Sequence, residues 1–177
     1  MSALLTAYER PDMENWDRIV DEHGPLVFRL ARRILGSGPD AEDVVQEAFL
    51  EVFQFRQKNQ VQNWAGILRR IAVHRALDRL RRRRDTQPLS GFEVLNASDG
   101  PLDKAVAGEL AERLRGAIAQ LPARQAAVFS LRYFDDRSYE QIAEILGIET
   151  NAVAAALHKA RAKLQSLLEE KVEGAEK

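Results

Sequence analysis

The side chains able to do chemistry fall into three clusters, and none has the makings of covalent catalysis. Between Arg69 and Arg84 stand eight arginines (Arg69, Arg70, Arg75, Arg79, Arg81, Arg82, Arg83 and Arg84) against one acid, Asp78. Guanidinium groups at that density suit phosphates, which they meet as bidentate, charge-assisted donors. Trp64 opens the run, and Phe53 and Phe55 lie just upstream. Cations beside aromatic rings suit unpaired bases, although the spacing of Phe49 and Phe53 reads as core. The second cluster is acidic: Asp40, Asp43, Glu47 and Glu51 fall on one helix face. Like charges so stacked repel by a few tenths of a kcal/mol per pair, so either water or a basic partner must offset them. The third cluster, Ser138 to Lys163, carries the punctuation of two short helices around a tight turn.

What is missing narrows the chemistry further. The sequence has no cysteine, and His23, His74 and His158 lack ligand spacing, so neither a metal site nor a disulfide is expected. No nucleophile–base pair or phosphate loop stands out, which argues against an enzyme and against a cofactor. Met1 to Arg10 does not read as a signal peptide, and no apolar run approaches membrane-spanning length. A soluble, cytoplasmic protein is the expectation, with no membrane insertion.

The net charge of −1 conceals a sharp polarity. Residues 1–60 hold 7 basic and 11 acidic side chains, whereas residues 61–84 hold the eight arginines and Asp78 alone. Residues 85–108 carry one lysine and four acids, and residues 109–177 carry 10 basic and 11 acidic groups. A cationic surface concentrated between acidic flanks is the natural reading.

Helices must position these clusters, since Leu, Ala, Glu, Gln and Arg dominate and long β-branched runs are absent. Periodicity predicts a first helix over 13–35, with Gly24-Pro25 as a possible kink and Gly36-Ser37-Gly38 as its end. A second spans 39–57, with Pro39 at its first position and Val45, Phe49, Val52 and Phe53 facing inward. A polar loop, 56–62, precedes a third helix over 63–84. Pro88, Gly91, Gly100 and Pro101 mark a linker bearing an apolar patch, Phe92, Val94 and Leu95. Then come helices over 102–120 (burying Leu110, Leu114, Ala117 and Ile118), 123–134, 138–146 and 150–168. The fold class is therefore all-α: two small helical domains joined by a flexible linker, divided as 1–85, 86–107 and 108–177.

The last pair of helices has the grammar of a helix-turn-helix. Ser138 with Gln141 forms a capping box, Gly147 suits a left-handed turn, and Thr150 suits a cap for the second helix. Val153, Leu157, Ala160 and Leu164 make one buried stripe. The opposite face presents Asn151, Ala152, Ala155, His158, Lys159 and Lys163, a helix fit for a major groove. An ordinary helical hairpin shares much of this pattern.

Taken in order, the clusters resemble the extracytoplasmic-function (ECF) sigma factors of bacterial RNA polymerase. The resemblance rests on Asp40-Ala41-Glu42-Asp43-Val44-Val45-Gln46-Glu47-Ala48-Phe49 and on Ala76-Leu77-Asp78-Arg79-Leu80-Arg81. In the second half it rests on Leu131-Arg132-Tyr133-Phe134, Ser138-Tyr139-Glu140-Gln141-Ile142-Ala143-Glu144 and Leu157-His158-Lys159-Ala160-Arg161. It implies that Asp40, Asp43, Gln46 and Glu47 bind the coiled coil of the polymerase β′ subunit. It implies that Trp64, Arg69, Arg70, His74, Arg75, Arg79, Arg81 and Arg82 serve the minus-ten element, with a non-template base held near residues 56–64. It assigns the minus-thirty-five element to Arg137, Asn151, Ala152, Ala155, His158, Lys159, Arg161 and Lys163. The partners it implies are core polymerase (β′ coiled coil and β flap), promoter DNA and an anti-sigma factor.

This sequence departs from the family pattern at four places. Ile67 stands where Trp is usual and His74 where Asn is usual. On the recognition helix, Ala152 and Ala154-Ala155-Ala156 replace polar and basic residues. Alanine can touch a thymine methyl but cannot pair with guanine, so few base contacts are expected, from Asn151 and Lys159. Backbone contacts from Arg137, Lys159, Arg161 and Lys163 should dominate. A stand-alone helix-turn-helix activator would account for 138–163 but not for the acidic stripe or arginine helix. A module that holds polymerase without reading promoters also remains open.

Overall fold

A computed structural model describes residues 11–57, 60–86 and 101–173. The expected apolar patch at Phe92, Val94 and Leu95 lies outside them. Among the described residues the chain forms seven helices: α1 (Pro11–Leu35), α2 (Gly38–Arg56), α3 (Trp64–Thr86), α4 (Pro101–Ile118), α5 (Ala123–Phe134), α6 (Tyr139–Leu146) and α7 (Thr150–Glu173). The first three form one bundle, and α5, α6 and α7 pack into another with α4 laid against α7. Helix α4 begins at Pro101, inside the stretch expected to be linker.

Each helix is long enough to need an apolar face, and each buries one. In the first bundle Leu30, Ile34 and Leu35 of α1 meet Val44 and Val52 of α2 and Leu68 and Leu77 of α3, all essentially inaccessible. In the second, Val153, Leu157, Ala160 and Leu164 form the buried stripe expected of α7, against Leu131 and Ile142.

Local chemistry sets the helix ends. Gly36 closes α1 at φ 74°, and a Cβ there would lie 2.5 Å from the Arg115 guanidinium of α4. Glycine takes the left-handed backbone without strain, and its missing Cβ leaves the Arg115 guanidinium where it lies. Ser37 caps α2 by accepting a hydrogen bond from the Asp40 amide, with Pro39 in the first turn.

Helix α1 is one helix through Pro25; Gly24 has no Cβ to clash with the proline ring. Two local expectations need correction. Leu110 is 60% exposed, not buried. Leu110 lies within about 20° of Ala117 around α4, yet Ala117 and Ile118 are buried and Leu110 is not: that face is covered at the C-terminal end of the helix and uncovered two turns earlier. Finally, α7 starts at Thr150, so Glu149 is the cap residue, its carbonyl accepting from the Ala152 and Val153 amides.

The two bundles touch. Helix α3 contacts α4, α5 and α6, and α1 contacts α5. Periodicity gave no hint of this face.

Candidate nucleic-acid interface

Helix α3 presents its arginines in three directions. On one face Arg75, Arg79 and Arg83 meet the acids of α2. The Arg75 guanidinium donates to Glu51 at 2.6 and 3.0 Å. Arg79 donates to Glu47 at 2.7 Å and Asp43 at 2.9 Å, with Asp40 at 3.6 Å. Arg83 pairs with Asp40 and donates to the Leu35 carbonyl at 3.2 Å. The carboxylate hydrogen bonds raise the Arg75 and Arg79 pKa values further above their ordinary range, with Glu51 and Glu47 the chief causes. Burial pulls that of Arg83 down.

The like-charge repulsion along α2 is thus offset within the chain. Steps of three and four on α2 face steps of four on α3, so two antiparallel stripes lie charge against charge. Between them runs a groove of about 340 Å³ lined by Asp40, Glu47, Arg75, Asp78, Arg79, Arg82 and Arg83. The arginine run is accordingly not one solvent-facing cationic surface. That expectation counted charges along the chain, which says nothing of where a helix turns them.

On the second face Arg70, His74, Asp78 and Arg82 recur every fourth residue and are exposed. Partial burial, then the nearby Arg70 guanidinium, hold the His74 pKa below its ordinary value. Arg81 donates to Asp78 at 3.2 Å and reaches the Leu121 carbonyl at 3.5 Å. The third face carries Arg69, whose Nε donates to Asp135 at 2.8 Å across the contact between bundles.

Phe49, Phe53 and Trp64 join a core cluster rather than an open platform, whereas Phe55 is exposed. Trp16 meets Phe49, Phe53 and Trp64 edge-on, with ring centroids 5.9, 5.1 and 6.2 Å away. Trp64 is half-buried there, and the Arg56 guanidinium stacks over Trp16 and Phe53. Asn63 caps α3, accepting from the Gly66 amide at 2.7 Å, and donates to Glu144 of α6 at 2.9 Å. On α2, Asp43 and Gln46 are exposed and Asp40 and Glu47 half-buried; Gln46 borders a shallow groove with Pro25, Phe28 and Val45.

The helix-turn-helix is built as its punctuation requires. Ser138 and Gln141 complete a reciprocal capping box, at 3.2 and 3.0 Å. Gly147 ends α6 at φ 65°, and Ile148 hydrogen-bonds back to Ala143. Asn151, Ala155, His158, Lys159 and Lys163 are exposed on α7, and Ala152 is half-buried. Arg161 is exposed but engaged, its Nε donating to the Tyr133 hydroxyl at 2.8 Å. The Arg137 Nε donates to the Asp135 carbonyl at 2.7 Å, with that residue's carboxylate at 3.1 Å.

Sequence reasoning missed Arg33, Asn63, Arg115, Asp135 and Glu144, all of which join one bundle to the other. The one advance signal was the Asn before α3, an N-cap residue type. Among the described residues no helix is long and apolar enough to cross a membrane, and no three or more His, Asp or Glu side chains are grouped so as to hold a metal ion.

Two family models match the chain: Sigma-70 region 2 over residues 19–86, and Sigma-70, region 4 over residues 111–164. The ECF RNA polymerase sigma factor SigE of Mycolicibacterium smegmatis is 32% identical over 160 residues, covering 88% of this chain and 62% of that protein. The ECF RNA polymerase sigma factor SigW of Bacillus subtilis is 30% identical over 175 residues, covering 90% of this chain and 92% of that one. In fold the chain is similar to the sigma factor RpoE crystallised with the anti-sigma factor NepR from Bartonella quintana. The TM-score is 0.57 at 21% identity, covering 88% of this chain and 98% of that one.

Proposed function

This chain belongs to the family of ECF RNA polymerase sigma factors, and from that premise we propose how its surfaces divide the work of initiation. It directs core polymerase to promoters and carries out no reaction chemistry itself. Residues 1–85 dock on the β′ coiled coil through Asp40, Asp43, Gln46 and Glu47 and open the minus-ten element. Arg70, His74 and Arg82, already exposed on α3, make first contact with the displaced strand. Arg69, Arg75, Arg79 and Arg81 join once their internal carboxylates are displaced, and Trp64 holds the base-binding loop in place. Residues 108–177 lie on the β flap and the minus-thirty-five duplex, with Asn151, Ala152, Ala155, His158 and Lys159 facing bases. Arg137, Arg161 and Lys163 face phosphates. Residues 86–107 connect the two, and the work is done in the cytoplasm.

The physical logic is an exchange. Opening a duplex costs a few kcal/mol of unstacking, and guanidinium–phosphate contacts with the freed strand offset it. Two weak DNA modules on one chain, fixed by polymerase, gain avidity through effective concentration. The Bartonella relative, solved with an anti-sigma factor, supports an anti-sigma partner here as well.

The observation that carries this reading is the exposed Asn151–Lys163 face of a helix-turn-helix whose first helix is capped at both ends, in one chain with the α2 acid stripe. Core polymerase should be retained by the tagged chain and should then transcribe from a subset of a promoter library. Asp43→Lys with Glu47→Lys should abolish both. Tight, specific duplex binding without polymerase, and no run-off product with it, would instead favour a stand-alone activator.

A further inference from the structure

Both ends of the connection between α2 and α3 rest on one side chain that lies outside it. Arg56 is the last residue of α2, and Trp64 is the first of α3. The Arg56 guanidinium sits over the Trp16 ring, 4.8 Å from its centroid, and over Phe53 at 4.4 Å. The Trp64 ring meets Trp16 edge-on at 6.2 Å, and Phe53 meets it at 5.1 Å. Trp16 belongs to α1 and is half-buried against the core. It stands before residue 19, where the match to Sigma-70 region 2 begins.

A ring touched from both ends of a connection does more than fill volume. Edge-on aromatic pairs and a guanidinium over a ring face are directional, so they fix where their partners sit. The places of Arg56 and Trp64 set the span that the chain between them must bridge. Asn63 adds to this, because its side chain accepts from the Gly66 amide at 2.7 Å and so ties the entry of α3. A connection whose ends are already fixed loses less freedom when it takes up a ligand, and binds it more tightly for that reason.

We propose that Trp16 is a positioning residue for base capture: from α1 it clamps Arg56 and Trp64, and so holds the connection between them ready for an unpaired minus-ten base. This rests on the assignment of that base to residues 56–64 made above. Trp16 itself touches no DNA. Its loss weakens capture of the base and leaves the phosphate contacts along α3 intact.

The test assembles full-length chains carrying Trp16→Leu, Trp16→Phe or Arg56→Gln with core polymerase, beside the unaltered chain. The probes are labelled forked DNAs built on a promoter recovered from the transcribed library. One has an intact unpaired minus-ten strand, and a series has a single abasic site moved along it. Affinity is read by anisotropy, with folding checked by circular dichroism and polymerase retention by pull-down. The unaltered holoenzyme should prefer the intact strand by about tenfold at the captured position, a preference within reach of one stacked base. Trp16→Leu and Arg56→Gln should cut that preference about fivefold, the scale of one lost aromatic or cation–π contact, with abasic affinity unchanged. Trp16→Phe, which keeps an aromatic edge, should restore most of it. A direct phosphate contact by Arg56, or a purely structural role for Trp16, would weaken intact and abasic strands alike, and that result overturns the proposal. So does an unchanged preference in both variants, or a Trp16→Phe chain no better than Trp16→Leu. Should Trp16→Leu fail to fold, Arg56→Gln decides on the same readout. An unaltered holoenzyme with no preference at any position would overturn the base-binding assignment, and this proposal with it.

Discussion

Ser138 shows how much one side chain can decide at the entrance to a DNA-binding unit. Its hydroxyl accepts from the Gln141 amide while the Gln141 side chain accepts from the Ser138 amide. With eight residues, α6 cannot leave its first-turn amides unsatisfied cheaply. Ser138→Ala should lower stability by about 1 kcal/mol, seen as a lower urea midpoint at unchanged slope. No shift in midpoint would mean that packing alone holds α6. His74 offers a second residue-scale prediction. Its folded pKa lies below the ordinary imidazole value of about 6.5, through burial and the neighbouring Arg70. The unfolded chain therefore takes up the proton first as the pH falls through 6.5, and stability drops over that window. In His74→Gln that part of the acid sensitivity should disappear, leaving a flatter urea midpoint between pH 7 and 5.5. An unchanged profile would assign the loss to other groups.

At the scale of elements, α2 and α3 carry opposite charge on facing stripes, and the ladder between them is partly exposed. Arg75 and Glu51 are 43% and 42% exposed, so water screens their attraction strongly. Each such pair contributes at most about 1 kcal/mol. Glu51→Gln should then cost about 0.5 kcal/mol at low ionic strength and nothing measurable in 1 M salt, where the screening length is about 3 Å. A cost that persists in high salt would point to packing by the Glu51 stem. The apolar seam beneath decides whether the bundle forms at all: Leu68 is wholly inaccessible. Losing such a side chain costs about 3 kcal/mol, several times any one rung of the ladder. The ladder's value lies in orientation, since it holds the α2 carboxylates and the α3 guanidiniums along one groove.

At the scale of the molecule, the bundles are joined both by polar pairs through Arg33, Asn63 and Arg69 and by a hydrophobic core that runs through the two. Small-angle scattering from the free chain at low salt should give a radius of gyration not far above 16 Å, the compact value for this length. A value typical of two separated bundles would exclude the closed arrangement in solution.

The helices, the buried stripe of α7 and the helix-turn-helix were all legible in the sequence, for a local reason. Capping, left-handed glycine and apolar periodicity act within a few residues, so their signals lie close together in the chain. The exposure of Leu110 was not legible, because apolar periodicity marks a helix face, buried here at Ala117 and Ile118, but not how far along that face the neighbouring helices reach. Nor could the sequence tell whether the acids of α2 awaited a foreign partner or the arginines of α3. That depended on the rotation of two helices about their axes, which the whole core sets. The arginine density was written in the chain, but its division into an exposed row, an internal ladder and one interdomain pair was settled by tertiary packing. Electrostatic partners in a folded protein are chosen by distance in space, and charge counted along a chain carries no such distance.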